Sequence, residues 1–136
     1  MPDGDILIHA GDFINYGNAP REIVNFNTWL GRQSHRHKIV IAGNIDRLFE
    51  SHPMPARALI TNGIYLQDSG VDVDGLTFWG SPVQPTINHW AFNVELGEAI
   101  RRHCDQISPK TGVLVTHGPP FGILDQTRPN TPYLGC

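Results

Sequence analysis

Three short polar segments each follow an apolar run, and this repeated pattern constrains the fold more than any other feature of the chain. They are GDFINYG at residues 11–17, AGNID at residues 42–46 and THGPP at residues 116–120. The runs that precede them are apolar and rich in β-branched residues, which favours buried strands. We therefore expect each segment to lie at the carboxyl end of a strand, where open α/β sheets bind their ligands.

The rest of the chain predicts a mixed α/β sheet flanked by helices. Strands are predicted at residues 5–9, 38–42, 64–66 and 112–116. A hairpin over residues 71–79 turns on Asp74-Gly75, a dipeptide suited to a tight turn. Helices are predicted at residues 20–32, 54–62 and 95–107, a loop at residues 80–93, and an irregular tail after His117.

Composition indicates one globular domain and excludes several classes of protein. The 136 residues, 40% hydrophobic and 17% charged, suit a single core. A formal net charge of −3 predicts neither a nucleic-acid polymer nor a membrane surface as partner. No apolar run approaches the ~18 residues of a membrane span, and the first residues lack a signal-peptide pattern. Two cysteines, Cys104 and Cys136, offer no disulfide framework and favour a cytoplasmic setting.

The three polar segments offer a carboxylate at Asp12, an amide oxygen at Asn44 and an imidazole at His117. Hard divalent cations accept such donors, and a carboxylate can bridge two ions. Each residue alone has a structural alternative, because Asp and Asn stabilise turns and a histidine can simply cap a loop. Only their joint pattern favours a metal site.

The other histidines are predicted to have structural roles or peripheral positions. His103 lies on the apolar face of a predicted helix and is expected to be a packed or boundary residue. His35 and His37 are predicted to lie in a solvated turn. His89 and Trp90, in the loop of residues 80–93, either contact substrate or pack within that loop.

The joint pattern resembles the calcineurin-like metallophosphoesterases, and within them the small group of metallophosphoesterase domain-containing proteins. The resemblance extends over nearly the whole chain, through ILIHAGDF, NFNTWLG, KIVIAGN, IYLQDS, GSPVQP and THGPPFGILD. It implies a four-layer α/β/β/α fold and a metal-dependent phosphoesterase or phosphodiesterase, a hydrolase of small phosphodiesters or phosphomonoesters. Cyclic nucleotides are the substrates that the resemblance suggests first.

The resemblance also implies roles for individual residues. Asp12 would bridge two divalent ions, while Asn44 would bind the second ion and orient phosphate. His117 would bind the second ion as well. Manganese is the expected metal, with iron, zinc and magnesium as alternatives.

Three departures from the family pattern reduce these expectations. No Asp-x-His precedes Asp5 and no Gly-His-x-His follows His117, so residues 1–136 are expected to be a partial domain. Such a domain would hold at most one weak metal site and would tend to self-associate. Ile45 occupies the position of the family's catalytic histidine, although Asp46 keeps the carboxylate that orients it. The sequence therefore predicts impaired hydrolysis, or alternatively a catalytically inactive binding or regulatory module.

Overall fold

Two three-stranded sheets form the centre of the structure, a computed structural model that describes residues 1–15, 19–86 and 88–125. The strands are β1 (Ile6–His9), β2 (His37–Val40), β3 (Ile64–Tyr65), β4 (Ser69–Val73), β5 (Leu76–Ser81), β6 (Gln84–Pro85), β7 (Asn93–Val94) and β8 (Val113–Thr116). The helices are α1 (Pro20–Gly31), α2 (Leu48–Ser51), α3 (Pro53–Ala58) and α4 (Glu98–Cys104). None of the described helices is long and apolar enough to cross a membrane.

Strand order places the polar segments on neighbouring elements. The first sheet is parallel, with β2 between β1 and β3. In the second sheet β5 lies between β4 and β8, antiparallel to β4 and parallel to β8. The short strands β6 and β7 form a separate parallel pair.

Strand β2 and the residues that continue it join the two halves of the core. Ile39, Val40, Ile41 and Ala42 are all 0% exposed. Because side chains alternate along a strand, Val40 and Ala42 face the helices while Ile39 and Ile41 face the second sheet. The prediction of a central strand covered on both sides is confirmed.

Helix α1 forms where its apolar spacing predicts it. Pro20 occupies the first turn, where its missing N–H costs no hydrogen bond. Ile23, Phe26 and Leu30 recur at three- and four-residue spacing and are all buried. Helix α4 lies beside Leu114 on the outer face of the second sheet, so the layers run helix, sheet, sheet, helix. The mixed α/β fold is confirmed.

The hairpin is also confirmed, since Asp74 and Gly75 have φ of 49° and 81°. Both residues therefore adopt the left-handed conformation that a tight turn between twisted strands requires.

The prediction that the first and last strands are buried was wrong for one residue in each strand, although Leu7 and Val115 belong to the core. Ile8 in β1 is 45% exposed and Leu114 in β8 is 50% exposed. Each strand pairs on only one side within the described residues, because it lies at the edge of its sheet. Open edges of this kind are consistent with self-association, which stays a prediction.

Three other element boundaries differ from the sequence prediction. Helix α4 spans Glu98–Cys104 rather than residues 95–107, and it begins late because Gly97 has a φ of 94° that a helix does not accept. The predicted helix at residues 54–62 is α3, which is shorter and follows the unpredicted α2. The segment of residues 80–93, predicted as a loop, instead contains the end of β5, the whole of β6 and the start of β7. Pro85 does not prevent this, because a proline is tolerated in a strand that pairs on one side only, as β6 does with β7.

Gly80 lies in close contact with residues that directly follow β2 and β3 of the first sheet, so this position tests how the two sheets pack. A Cβ at this position would lie 2.7 Å from Cγ2 of Ile41 and 2.5 Å from Cβ of Leu66. We expect Gly80→Ala to lower the free energy of unfolding by about 1–3 kcal/mol, because both neighbours belong to the close-packed core. Urea denaturation measures the change.

Gly112→Ala is the matched control, since a Cβ there meets only the carbonyl oxygen of Thr77 at 3.7 Å. Its effect should stay within ~0.5 kcal/mol. Equal losses in the two variants would contradict the close approach of the sheets at Gly80.

Candidate functional site

The loops that follow β1, β2 and β8 converge on Asp12. Its Oδ1 lies 3.5 Å from Nε2 of His117. The same oxygen accepts a hydrogen bond of 3.2 Å from the backbone N–H of Ile45. Carboxyl ends from both sheets therefore meet at one place, and two of the three predicted ligands are in direct proximity.

The orientation of His117 determines which of its nitrogens faces Asp12. Its Nδ1 lies 2.8 Å from the carbonyl oxygen of Ala10. A carbonyl oxygen only accepts, so Nδ1 carries the hydrogen, and Nε2 of the neutral ring presents a lone pair. That lone pair and the Asp12 carboxylate are then two acceptors facing each other. A positive charge between them, either a proton on Nε2 or a metal ion, is needed to make the arrangement favourable.

The geometry fits a divalent metal ion. Two ligands about 2.1 Å from one ion lie ~3.0 Å apart at a right angle and ~3.4 Å apart at a tetrahedral angle, and the 3.5 Å between Oδ1 of Asp12 and Nε2 of His117 is close to the upper value. A metal-binding histidine commonly donates its other N–H to a carbonyl, as His117 does to Ala10. Asp12 and His117 thus suit a single ion with open coordination positions.

Two glycines permit this proximity for different reasons. Gly11 has a φ of 97° and Asp12, directly after it, has a φ of 63°, so the chain turns through left-handed conformations. Gly43, by contrast, provides space. A Cβ at Gly43 would lie 2.6 Å from Cε1 of His117 and 2.6 Å from the Asp12 nitrogen. The φ of Gly43 is not positive, so this glycine is required for space and not for a left-handed backbone.

Asn44 lies next to this pair, with its side chain anchored elsewhere. It is buried, and its amide N–H₂ donates to Oε1 of Gln84 over 3.4 Å. Its backbone carbonyl accepts from the N–H of Ala91 at 2.9 Å. The side-chain oxygen remains as the group that could bind an ion. Among the described residues, no three His, Cys, Asp or Glu side chains form a group able to hold a metal.

Asp46 holds the loops of this site together. Its carboxylate is fully buried. One oxygen, Oδ2, accepts hydrogen bonds from the backbone N–H groups of Asp12 at 2.8 Å and Gly43 at 2.7 Å. The other, Oδ1, accepts from Phe13 at 3.2 Å and Ile14 at 2.8 Å.

Burial raises the pKa of the Asp46 carboxyl, although hydrogen bonds from backbone N–H groups favour its charged form and oppose the rise. Sequence reasoning assigned Asp46 an orienting role toward a catalytic histidine. Its contacts are instead with backbone, and residue 45 is isoleucine. The catalytic role of Asp46 stays a prediction.

A groove of about 280 Å³ lies beside the Asn44 loop and includes His89 and Trp90. Arg47 donates from Nη2 to the carbonyl oxygen of His89 at 2.7 Å. Glu50 accepts from the N–H of Phe92 at 2.7 Å. The sequence did not indicate Arg47 or Glu50 as site residues, because charged residues are common in exposed helical segments. Their role depends on contacts with the distant loop of residues 88–93.

The remaining histidines occupy different environments. His35 is only 7% exposed, so the predicted solvated turn was wrong; the segment near Gly4 lies against its ring. His37 belongs to β2 and lies 3.2 Å from Asp74. His103 is a partly exposed boundary residue, as predicted. His9 packs among aromatic rings, and burial lowers its pKa.

Comparisons with known proteins agree with this arrangement. A sequence model of calcineurin-like phosphoesterases matches residues 1–133. The human protein named metallophosphoesterase domain-containing protein 1 is 39% identical over 159 residues, covering 100% of this chain and 48% of the relative; the mouse protein gives the same values. UPF0046 protein T07D4.2 of Caenorhabditis elegans is 33% identical over 165 residues, covering 100% of this chain and 41% of the relative. The chain spans about half the length of these relatives.

Replacement of Asp46 tests its hold on the loops. Asp46→Asn places an N–H₂ group against backbone donors, leaving at least one buried donor unpaired. We expect the free energy of unfolding to fall by about 1–3 kcal/mol or more, as measured by urea denaturation. Asp105→Asn is the control, since Asp105 is exposed and, within residues 1–15, 19–86 and 88–125, its carboxylate pairs only with Arg101. A loss as small as in that control would contradict the role of Asp46.

Proposed function

The chain belongs to the calcineurin-like phosphoesterase family, and we propose that Asp12, His117 and Asn44 supply part of a metal-dependent phosphoesterase site. One observation carries this proposal. The Asp12 carboxylate lies 3.5 Å from Nε2 of His117, whose Nδ1 is engaged by the carbonyl oxygen of Ala10, so Nε2 of the neutral ring is a second acceptor beside the carboxylate. A cation between them satisfies both groups.

The residues of the chain have separable tasks in this proposal. A bound divalent ion supplies Lewis-acid polarisation of the phosphoryl group and an activated water. Asp12 and His117 hold the ion, and the side-chain oxygen of Asn44 is the further ligand. Asp46 acts as a positioning residue, because it holds the backbone on both sides of Asp12. Ile45 has no proton to give to a leaving group.

We propose small phosphodiesters and phosphomonoesters as substrates. The groove beside Asn44 offers the Arg47 guanidinium and the Trp90 ring, which suit a phosphate and a planar group respectively. Cyclic nucleotides, manganese as the metal and a cytoplasmic location stay predictions at this finer level.

Hydrolysis of bis(4-nitrophenyl) phosphate in Mn²⁺ tests the proposal, because nitrophenolate leaves without a proton donor. Asp12→Ala should reduce Mn²⁺-dependent hydrolysis to background. It should also weaken Mn²⁺ binding, followed by electron paramagnetic resonance, by at least about 100-fold, since even outer-shell partners of a metal are worth ~10–100-fold.

Asp72→Asn is the control for this experiment, as Asp72 lies in β4 and bonds Thr77. It should change neither quantity. Metal-independent hydrolysis, or Mn²⁺ binding that survives loss of Asp12, would rule out the proposed site.

A second candidate function is a catalytically inactive binding or regulatory module, and Ile45 favours it. The backbone N–H of Ile45 still donates to Asp12. The loop that shapes the metal site is thus kept while the family's proton donor is absent. Such a module would bind the ion and a phosphate ester but would not turn it over.

Restoring a histidine distinguishes the two functions. If the site is hydrolytic, Ile45→His should raise the rate on an alkyl phosphodiester by about 10²–10⁴-fold, because the poor leaving group gains a general acid. The gain on bis(4-nitrophenyl) phosphate should be much smaller. Steady-state assays on both substrates measure this difference. No gain on the alkyl ester, with Mn²⁺ still bound, would favour the inactive module.

A further inference from the structure

Three hydrogen-bonded polar side chains, Ser81, Asp68 and His103, lie on the far side of β8. They are separate from the residues assigned to the phosphoesterase site. Asp68 is the central residue of the three. One carboxylate oxygen accepts from Oγ of Ser81 at 2.6 Å, and the other lies 3.0 Å from Nδ1 of His103. Asp68 itself has a φ of 44°, so the loop after β3 adopts a left-handed conformation to bring the carboxylate there.

This contact sets the hydrogen-bonding character of the His103 ring. A carboxylate only accepts, so Nδ1 of His103 donates to Asp68, and Nε2 of the neutral ring is left as an acceptor. Among the described residues, that nitrogen has no hydrogen-bond partner. Asp68 also accepts a hydrogen bond from Ser81, so its carboxylate is held in place and in turn orients the His103 ring.

The His103 ring lines a cavity of about 100 Å³ between α4 and the outer face of the second sheet. Its other walls are mostly apolar, formed by Val83, Ile100, Ile107, Leu114 and Pro120. Exposed residues, Cys104 and Pro120 among them, leave one side open to solvent. An apolar cavity with one oriented polar group is the usual form of a small-molecule site.

We propose that this cavity binds a small single-ring molecule that carries a hydroxyl group, of the phenol class. The ring would pack against the apolar walls, and its hydroxyl would donate to Nε2 of His103. The volume of about 100 Å³ is smaller than the ~150 Å³ of an enclosed cavity that accepts benzene, so a single ring fits only because one side is open, and a fused pair is too large. A ligand without a donor would forgo this hydrogen bond.

The cavity lies close to the proposed metal site, but none of the proposed metal ligands lines it. Thr116 lines the cavity and directly precedes His117. Its Oγ1 donates to the carbonyl oxygen of Gly118 at 2.7 Å, on the other side of His117. The proposal does not depend on hydrolysis, because it rests on His103, Asp68 and the apolar walls.

Fluorine nuclear magnetic resonance of the whole chain tests the proposal with 4-fluorophenol as the probe. We expect saturable binding of 4-fluorophenol. Fluorobenzene, which lacks only the hydroxyl, should bind about tenfold more weakly, the value of one hydrogen bond. This comparison needs no variant. Absence of saturable 4-fluorophenol binding, or equal affinity for the two probes, would overturn the proposal.

Variants then locate the binding. His103→Phe should remove the preference for 4-fluorophenol, and Ile107→Trp should fill the cavity and abolish binding of both probes. Leu76→Trp is the matched control, because Leu76 is an exposed residue beside the hairpin turn; it should leave binding unchanged. A preference that survives in folded His103→Phe, or binding that survives in folded Ile107→Trp, would place the ligand elsewhere and refute the assignment.

Discussion

The buried carboxylate of Asp46 is the interaction on which the candidate site depends. Its two oxygens collect backbone N–H groups from Asp12, Phe13, Ile14 and Gly43, which belong to the loops after β1 and β2. A buried N–H without a partner is costly, so these four donors and the carboxylate stabilise one another. The result is that Asp12 is held in a left-handed backbone conformation with its carboxylate turned toward His117.

Charge then determines what the site can do. Because Nδ1 of His117 donates its hydrogen bond to the carbonyl oxygen of Ala10, Nε2 of the neutral ring and the Asp12 carboxylate are both acceptors. A positive charge between them, either a proton on Nε2 or a metal ion, makes the arrangement favourable. Residue 45 is isoleucine, whose side chain has no proton to donate, while its backbone N–H still donates to Asp12. In the proposed site, metal binding and proton donation would therefore depend on different groups.

The same construction occurs on the other side of β8, where Asp68 orients His103 as Ala10 orients His117. In both places an oxygen atom accepts a hydrogen bond from Nδ1, so Nε2 of the neutral ring can accept one from another group. The surroundings differ: Nε2 of His117 faces a carboxylate, which suits a cation, while the His103 ring borders apolar side chains, which suit a neutral ring with a donor. The two sites thus both use an oriented histidine, and they differ in the ligand they suit because the surrounding side chains differ.

Local pattern in the sequence predicted the longer elements and the residue types proposed as ligands. The apolar run before AGNID predicted a central strand, and Asp12, Asn44 and His117 were recognisable because polar residues directly follow such runs. Tertiary structure alone decided the backbone role of Asp46, 34 residues from Asp12, and the pairing of His103 with Asp68 across 35 residues. It also decided that β1 and β8 lie at sheet edges. Periodicity reports which face of a strand is apolar, but hydrogen bonds and edges depend on which distant segment packs alongside.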